Sequence, residues 1–327
     1  MSARLASLEL GLIAAIGFAA VTSVCLALAW PWLRARLAGV HPALRARLVW
    51  LAAIAPGALP ALLVALCFVP GLLAAAGLGH DHCTHHPGHA HLCLKHASIP
   101  LTRAGMGLLA LAAALLAAAI VPEVVSLVRT RRWLARLPRR AMRHADDVEV
   151  VESETPFAFA AGLLRPRTHV AARLLESLPA PQLAAVVEHE RAHARRRDPL
   201  ARLAARVLSR AHLPWVRRAL LSELAVATEE ACDAEAGRRV GDRLAVAEAI
   251  LAVERLFAAV PAPAGLTGFG GNSVAERVRA LLAVEPQAPP RQGYRIAAAL
   301  ACALGVAGID PLHHLTEHLL ALAARLL

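Results

Sequence analysis

Residues 189 to 193 read His-Glu-Arg-Ala-His, the H-E-x-x-H spacing of a metal-assisted hydrolase. Residues four apart on an α-helix share a face, so the imidazoles of His189 and His193 can reach one ion. Glu190 is offset enough to act on a metal-bound water instead of ligating. A zinc ion so held keeps an open coordination position and lowers the pKa of its water toward about 7, which suits attack on a peptide carbonyl. The pattern is short, and a chain with 16 histidines shows it by accident at roughly a few per cent, so its surroundings must decide. A third protein ligand is required. Glu229, Glu230, Cys232 and Asp233 follow about ten helical turns downstream. If Glu229 ligates, Asp233 lies one turn further on the same face and can accept a hydrogen bond from a ligand histidine, fixing its tautomer, while Glu230 faces elsewhere. The competing reading of these acids is a solvated helix face paired with Arg238 and Arg239. Arg238 is also a candidate oxyanion stabiliser by charge alone.

These residues need elements that hold them. Val148, Val150 and Val151 alternate with acids as in a strand, Thr155 to Phe159 lead into Gly162, and a second short β-like stretch surrounds Thr168, His169 and Val170. From Pro181 the pattern is helical and continues through Leu282, interrupted by the Pro/Gly-rich stretch Pro261 to Gly271. Residues 129–291 thus form a domain of about 160 residues, enough for one core.

The remainder of the chain has another composition. Of 327 residues 57% are hydrophobic and 18% charged, and the mean hydropathy is +0.52, against about 45–50% apolar and about 25% charged in an ordinary globular chain. Disorder and a small disulfide scaffold are both excluded. Three spans are read at about 10–33, 48–78 and 104–127, on runs without a charged side chain from Leu10 to Leu33, Leu48 to Gly79 and Ala104 to Pro122. For the first, a cleavable signal peptide is the alternative, but the run ends in Trp30, Pro31, Trp32 and arginines instead of a small-residue cleavage site. Pro56, Pro60 and Pro70 predict a kinked second span. Residues 292–327 are read as a fourth span, centred on the short run 296–309 with Tyr294 and Arg295 as anchors, followed by a short outer tail.

The net charge of +11 raises nucleic-acid binding as an option. The arginines dismiss it. Arg34, Arg36, Arg45 and Arg47 sit between the first two runs, and Arg129, Arg131, Arg132, Arg136, Arg139, Arg140 and Arg143 follow the third, with no acid among them. Together they equal the whole net charge and mark both segments as cytoplasmic by the positive-inside rule. The domain of residues 129–291 then faces the cytoplasm and residues 79–103 face outward.

The run from His189 to Leu200 resembles the H-E-x-x-H-x-x-R-x-D element of the BlaR/MecR-type antirepressor metallopeptidases, bacterial membrane zinc proteases. Pro156 to Arg167 is similar to that family's strand-and-turn segment, Glu229 to Asp233 to its E-x-x-C-D element, and Glu276 to Leu282 to the segment before its last span. The resemblance covers most of residues 148–310. It implies that His189, His193 and Glu229 bind zinc, with Glu229 preferred to Glu230, that Glu190 is the general base, and that Asp233 supports a ligand. The implied fold is a multi-pass α-helical membrane protein with a cytoplasmic, mostly helical α+β, gluzincin-like zinc metallopeptidase domain. The implied function is signalling: activation from outside, self-cleavage, and cleavage of a winged-helix repressor of the BlaI/MecI kind. A large extracellular penicillin-binding domain does not follow the last span, so direct β-lactam sensing is not expected. Alternatives are a quality-control membrane protease resembling the HtpX type, and a non-catalytic metal-sensing membrane protein. The expected partners are a protein substrate and the lipid bilayer, without direct nucleic acid, and a homo-oligomer is allowed.

The outward loop gathers His80, His82, Cys83, His85, His86, His89, His91, Cys93 and His96. Such a set suits zinc, copper or nickel, while a Cys83–Cys93 disulfide among solvated histidines is an equal alternative. Cys25, Cys67 and Cys302 fall in apolar runs and read as packing residues, and Cys232 as a buried structural thiol. His313, His314 and His318 in the tail read as the polar face of an interfacial helix whose other face carries Leu315, Leu319, Leu320 and Leu322, with outer metal binding as the alternative.

Overall fold

The computed structural model describes residues 2–78, 103–136, 139–140, 147–258, 271–284, 299–300 and 302–326. The outer-loop residues Cys83, Cys93, His82, His85, His86, His89 and His91 lie outside these, as do residues 285–298, where the fourth span would begin.

Among the described residues three helical stretches are long and apolar enough to cross a membrane: Glu9–Leu37, Pro42–Ala74 and Met106–Trp133. They belong to α1 (Ser2–Leu37), to α2 (Pro42–Cys67) with α3 (Val69–Ala75), and to α4 (Arg103–Arg136). His41 caps α2, its Nδ1 accepting from the Ala43 amide, and Pro42 occupies the first turn, where a missing N–H costs nothing. The helix passes through Pro56 and Pro60 and breaks only at Phe68, before Pro70. Large apolar side chains such as Leu28, Val21, Leu115 and Leu116 point outward, the surface that acyl chains cover in a membrane protein.

The peptidase-like part starts with a four-stranded sheet in the order β1-β2-β4-β3, formed by β1 (Arg139–Arg140), β2 (Val148–Val151), β3 (Ala158–Ala161) and β4 (Arg167–Ala171). β2 and β4 run parallel, with Val150 opposite Val170, and β3 returns antiparallel to β4, with Ala160 opposite Thr168. The hairpin between β3 and β4 turns at Gly162, whose φ of 111° and close approach to the Arg165 carbonyl exclude a side chain. Then come α5 (Ala172–Ser177), α6 (Ala180–Arg196), α7 (Asp198–Leu208), a 3-10 turn (Ser209–Ala211), α8 (Pro214–Val240), α9 (Arg243–Ala258) and α10 (Gly271–Leu282). Val170, Leu174 and Leu178 bury against Leu183, Val186 and Val187 of α6 and against Val253 and Leu256 of α9, which seats α6 beneath the sheet.

This part packs directly on the spans. Val216, Leu220 and Leu224 of α8 and Ala205 of α7 share a core with Trp30 of α1 and Val49 and Ala53 of α2. Arg45 of α2 lies between Glu223 and Glu230 of α8, 2.6 Å from Glu230 Oε2.

A last helix, α11 (Ile309–Leu326), packs Leu312 against Leu10, Ile13, Cys67 and Phe68 at the other end of α1 and α2. His314 and His318 are exposed as expected, but His313, Leu315 and Leu319 depart from the expected polarity. His313 is fully buried with Nδ1 2.6 Å from the Cys67 carbonyl, while Leu315 and Leu319 face outward. Only part of the cysteine expectation is met: Cys67 and Cys232 are buried, but Cys25 and Cys302 are exposed on helix surfaces. An apolar run in a membrane helix marks a lipid-facing side as readily as a packed one.

Candidate metal centre

α6 brings His189 and His193 to one face. Their Nε2 atoms stand 3.2 Å apart, and the rings meet edge to face. α8 adds Glu229, whose Oε2 lies 3.3 Å from His189 Nε2 and whose Oε1 lies 3.5 Å from His193 Nε2. A tetrahedral ion with ligand bonds of about 2.0–2.2 Å sets ligand-to-ligand edges of about 3.3–3.6 Å. The three side chains can therefore hold one metal ion and leave a fourth position open. Glu229 Oε2 is buried and accepts no well-formed hydrogen bond, its charged neighbours being His189 Nε2 at 3.3 Å and Arg277 Nη1 at 3.4 Å.

Each imidazole is held by its far nitrogen. His189 Nδ1 lies 2.8 Å from Asp233 Oδ1, and His193 Nδ1 lies 2.7 Å from Asp198 Oδ2. These carboxylates orient the rings so that Nε2 points to the centre. Arg277 of α10 grips both oxygens of Asp233 at 2.7 Å each, and its Nη1 lies 3.4 Å from Glu229 Oε2. Arg202 of α7 donates to Glu229 Oε1 at 2.9 Å.

The electrostatics favour a cation. Burial opposes charge on His189, yet Asp233 and Glu229 raise its pKa above the ordinary value. Burial likewise opposes charge on His193, but Cys232, Asp198 and Glu229 raise it well above. Burial pushes Glu229 up, and the two histidines more than reverse this, holding it well below the usual carboxylate range. A divalent ion takes the place of the protons such a cluster would otherwise bind.

Glu190 is buried one residue round from His189 and lines a cavity of about 70 Å³ with His189, Asp233, Arg277, Leu174 and Val253. Ala158 of the edge strand β3 reaches the same cavity. Cys232 is fully buried, with Sγ 3.3 Å from His193 Nδ1 and 3.5 Å from Asp198 Oδ2. Burial pushes this thiol up to about 11. His193, Asp198 and Cys232 also form a second group close enough to share an ion.

The structure brings His189, His193, Glu229 and Asp233 together beside Glu190. Glu229 meets the histidines, whereas Glu230 pairs with Arg45. The arginines beside Glu229 are Arg202 and Arg277, not Arg238 and Arg239. Arg238 is exposed and does not line the cavity, whereas Arg277 of α10 does. Three residues were not expected in a supporting role: Asp198, Arg202 and Arg277. Asp198 comes five residues after His193, the wrong side of a continuous helix. It reaches the ring because Arg197 adopts a left-handed conformation, φ 55° and ψ 40°, and ends α6. A polar Arg-Arg-Arg-Asp-Pro run was the available signal for that break.

No curated protein and no solved structure matches the chain. Residues 128–260 match the model of Peptidase family M48, so the stretch that carries His189, Glu190, His193 and Glu229 is a domain of metallopeptidase type.

Proposed function

We propose that the chain is a membrane-integrated zinc metalloendopeptidase in which His189, His193 and Glu229 hold the zinc and Glu190 is the general base. The observation that carries this reading is the convergence of two imidazole Nε2 atoms 3.2 Å apart on the Glu229 carboxylate, whose Oε2 and Oε1 lie 3.3 Å from His189 and 3.5 Å from His193, beside a buried glutamate. Two imidazoles, one carboxylate and an open fourth position suit catalytic zinc. Zinc bound there supplies a Lewis acid that acidifies water and polarises the scissile carbonyl. Glu190 takes the proton of the attacking water and passes it to the leaving amine nitrogen. Asp233 and Asp198 keep both imidazoles in the ligating orientation, and Arg277 keeps Asp233 ionised.

The proposed substrate is a winged-helix repressor of the BlaI/MecI kind, cut on the cytoplasmic side of the inner membrane after a signal from outside. The resemblance of three ordered elements supports this. So does the joint between span and site: Arg45 of α2 binds Glu230, the neighbour of Glu229, so a shift of α2 reaches a ligand within one residue. Quality control of the HtpX type uses the same residues and is equally compatible with the peptidase-family match. The test is co-expression of wild type or Glu190→Gln with candidate repressors and with a misassembled membrane protein, followed by immunoblot. Repressor loss that requires Glu190 supports antirepression. Loss of the membrane protein alone supports quality control, and loss of neither supports a non-catalytic sensor.

A further inference from the structure

The corner joining α7 to α8 does not hang beneath the spans but is tucked between them. The Leu213 amide donates to Ser23 Oγ at 3.1 Å, and His212 Nε2 lies 3.1 Å from the Ala52 carbonyl. At Gly57 the backbones touch: a Cβ there would come within 2.6 Å of the Leu208 carbonyl oxygen. Ser23 lies seven residues above Trp30, and Gly57 seven above Trp50, roughly 10 Å along each helix. Tryptophans at the charged ends of apolar spans mark the level of the lipid headgroups. If α1 and α2 cross the bilayer, the corner therefore lies above that level, inside the hydrocarbon edge.

Its outward surface has the composition of an interfacial element. Trp215 is 65% exposed, and Ala211, Pro214 and Ala219 are exposed around it. Arg210 and Arg218 are exposed beside them, and neither these two nor Arg217 meets a carboxylate among the described residues. Their neighbours Arg34, Arg45 and Arg206 are all paired, with Glu223, with Glu223 and Glu230, and with Glu123 respectively. Arginine stems lie along apolar surface while their heads reach toward phosphates.

We propose that the α7–α8 corner is a lipid-docking wedge set into the leaflet on the peptidase side, with Trp215 at the acyl–headgroup boundary and Arg210 and Arg218 on lipid phosphates. This rests on α1 and α2 crossing the bilayer and is independent of the zinc chemistry. The wedge fixes the start of α8, the helix that carries Glu229, against the membrane.

The test uses the full chain in vesicles whose lipids carry bromine near the headgroup end of the acyl chain, which quenches nearby indoles. The difference between wild type and Trp215→Phe isolates the fluorescence of Trp215. The wedge predicts that most of this component is lost in brominated vesicles, that the loss deepens with anionic lipid, and that Arg210→Gln with Arg218→Gln removes the anionic dependence. In Gly57→Leu, which displaces Leu208, the quenching falls. A Trp215 component that brominated lipid leaves unquenched overturns the proposal. An anionic dependence unchanged in the double variant overturns the role of the arginines.

Discussion

Arg277 and Asp233 are 44 residues apart, on α10 and α8, and meet through two hydrogen bonds of 2.7 Å in a buried pocket. Asp233 passes that contact on to His189 Nδ1 at 2.8 Å. Arg277→Met removes the counter-charge of a carboxylate that is 1% exposed, a change that costs about 3–5 kcal/mol when a buried pair loses one member. Arg277→Lys restores charge but not the two-pronged contact. Both variants are expected to lower metal affinity about 10–100-fold, Met more than Lys. Competition with a zinc chelator measures this, and unchanged affinity in both would contradict it.

Arg45 and Arg34 both bind Glu223, but their surroundings differ. The Arg45 side chain is 16% exposed and that of Arg34 67%. Arg45→Ala leaves two largely buried carboxylates, Glu223 and Glu230, without their shared partner, and should cost about 3 kcal/mol or more. Arg34→Ala should cost less than about 1 kcal/mol. Thermal unfolding of the purified full chain ranks the two, and adding Glu223→Gln and Glu230→Gln should recover much of the loss in the Arg45 variant.

Asp147, just before β2, joins the sheet to α6 through two 2.8 Å contacts with Arg191. The guanidinium beside it holds its carboxyl below the ordinary 3.8. A lowered folded-state value means that the pair's contribution is fully present above the unfolded value and is lost as pH falls through the folded one. Asp147 is 56% exposed, so solvent screening keeps the difference under about 1 kcal/mol. The gap in unfolding temperature between wild type and Asp147→Asn should therefore be constant at neutral pH and close in strong acid. A gap that widens on acidification would contradict this.

Cys232 offers a check on which group holds the ion. Its Sγ faces His193 Nδ1 and Asp198, on the far side of the ring from the Nε2 that meets His189 and Glu229. Cys232→Ala should keep its metal and change activity by less than about tenfold, the loss of roughly one ordinary hydrogen bond. Loss of metal in Cys232→Ala would point to His193, Asp198 and Cys232 as the binding set.

The parts legible from the residues alone were those set by local periodicity. The pairing of His189 with His193, the offset of Glu190 and the shared face of Glu229 and Asp233 all follow from 3.6 residues per turn, and the apolar runs follow from composition. The partners of Glu229 were not legible. Several arginines lie within reach of it in sequence, and only the packing of α7 and α10 selects Arg202 and Arg277. The parallel pairing of β2 with β4 was equally hidden, because both strands are four or five residues long and β3 intervenes in the chain but not in the sheet. Nothing in the composition of residues 198–215 indicated that they pack between two membrane helices, since an Arg- and Ala-rich segment reads as a surface helix. Ser23 and Gly57, lone small residues in apolar runs, were the faint signals of that contact.

The central claim is that one zinc ion, held by His189, His193 and Glu229, works with Glu190. Elemental analysis of the purified full chain, read beside cleavage of a co-reconstituted protein substrate, tests it most directly. The account predicts one zinc per chain in wild type and in Glu190→Gln, with cleavage only in wild type, and no zinc in His193→Ala or Glu229→Ala. Full zinc occupancy in Glu229→Ala, or undiminished cleavage in Glu190→Gln, would contradict it.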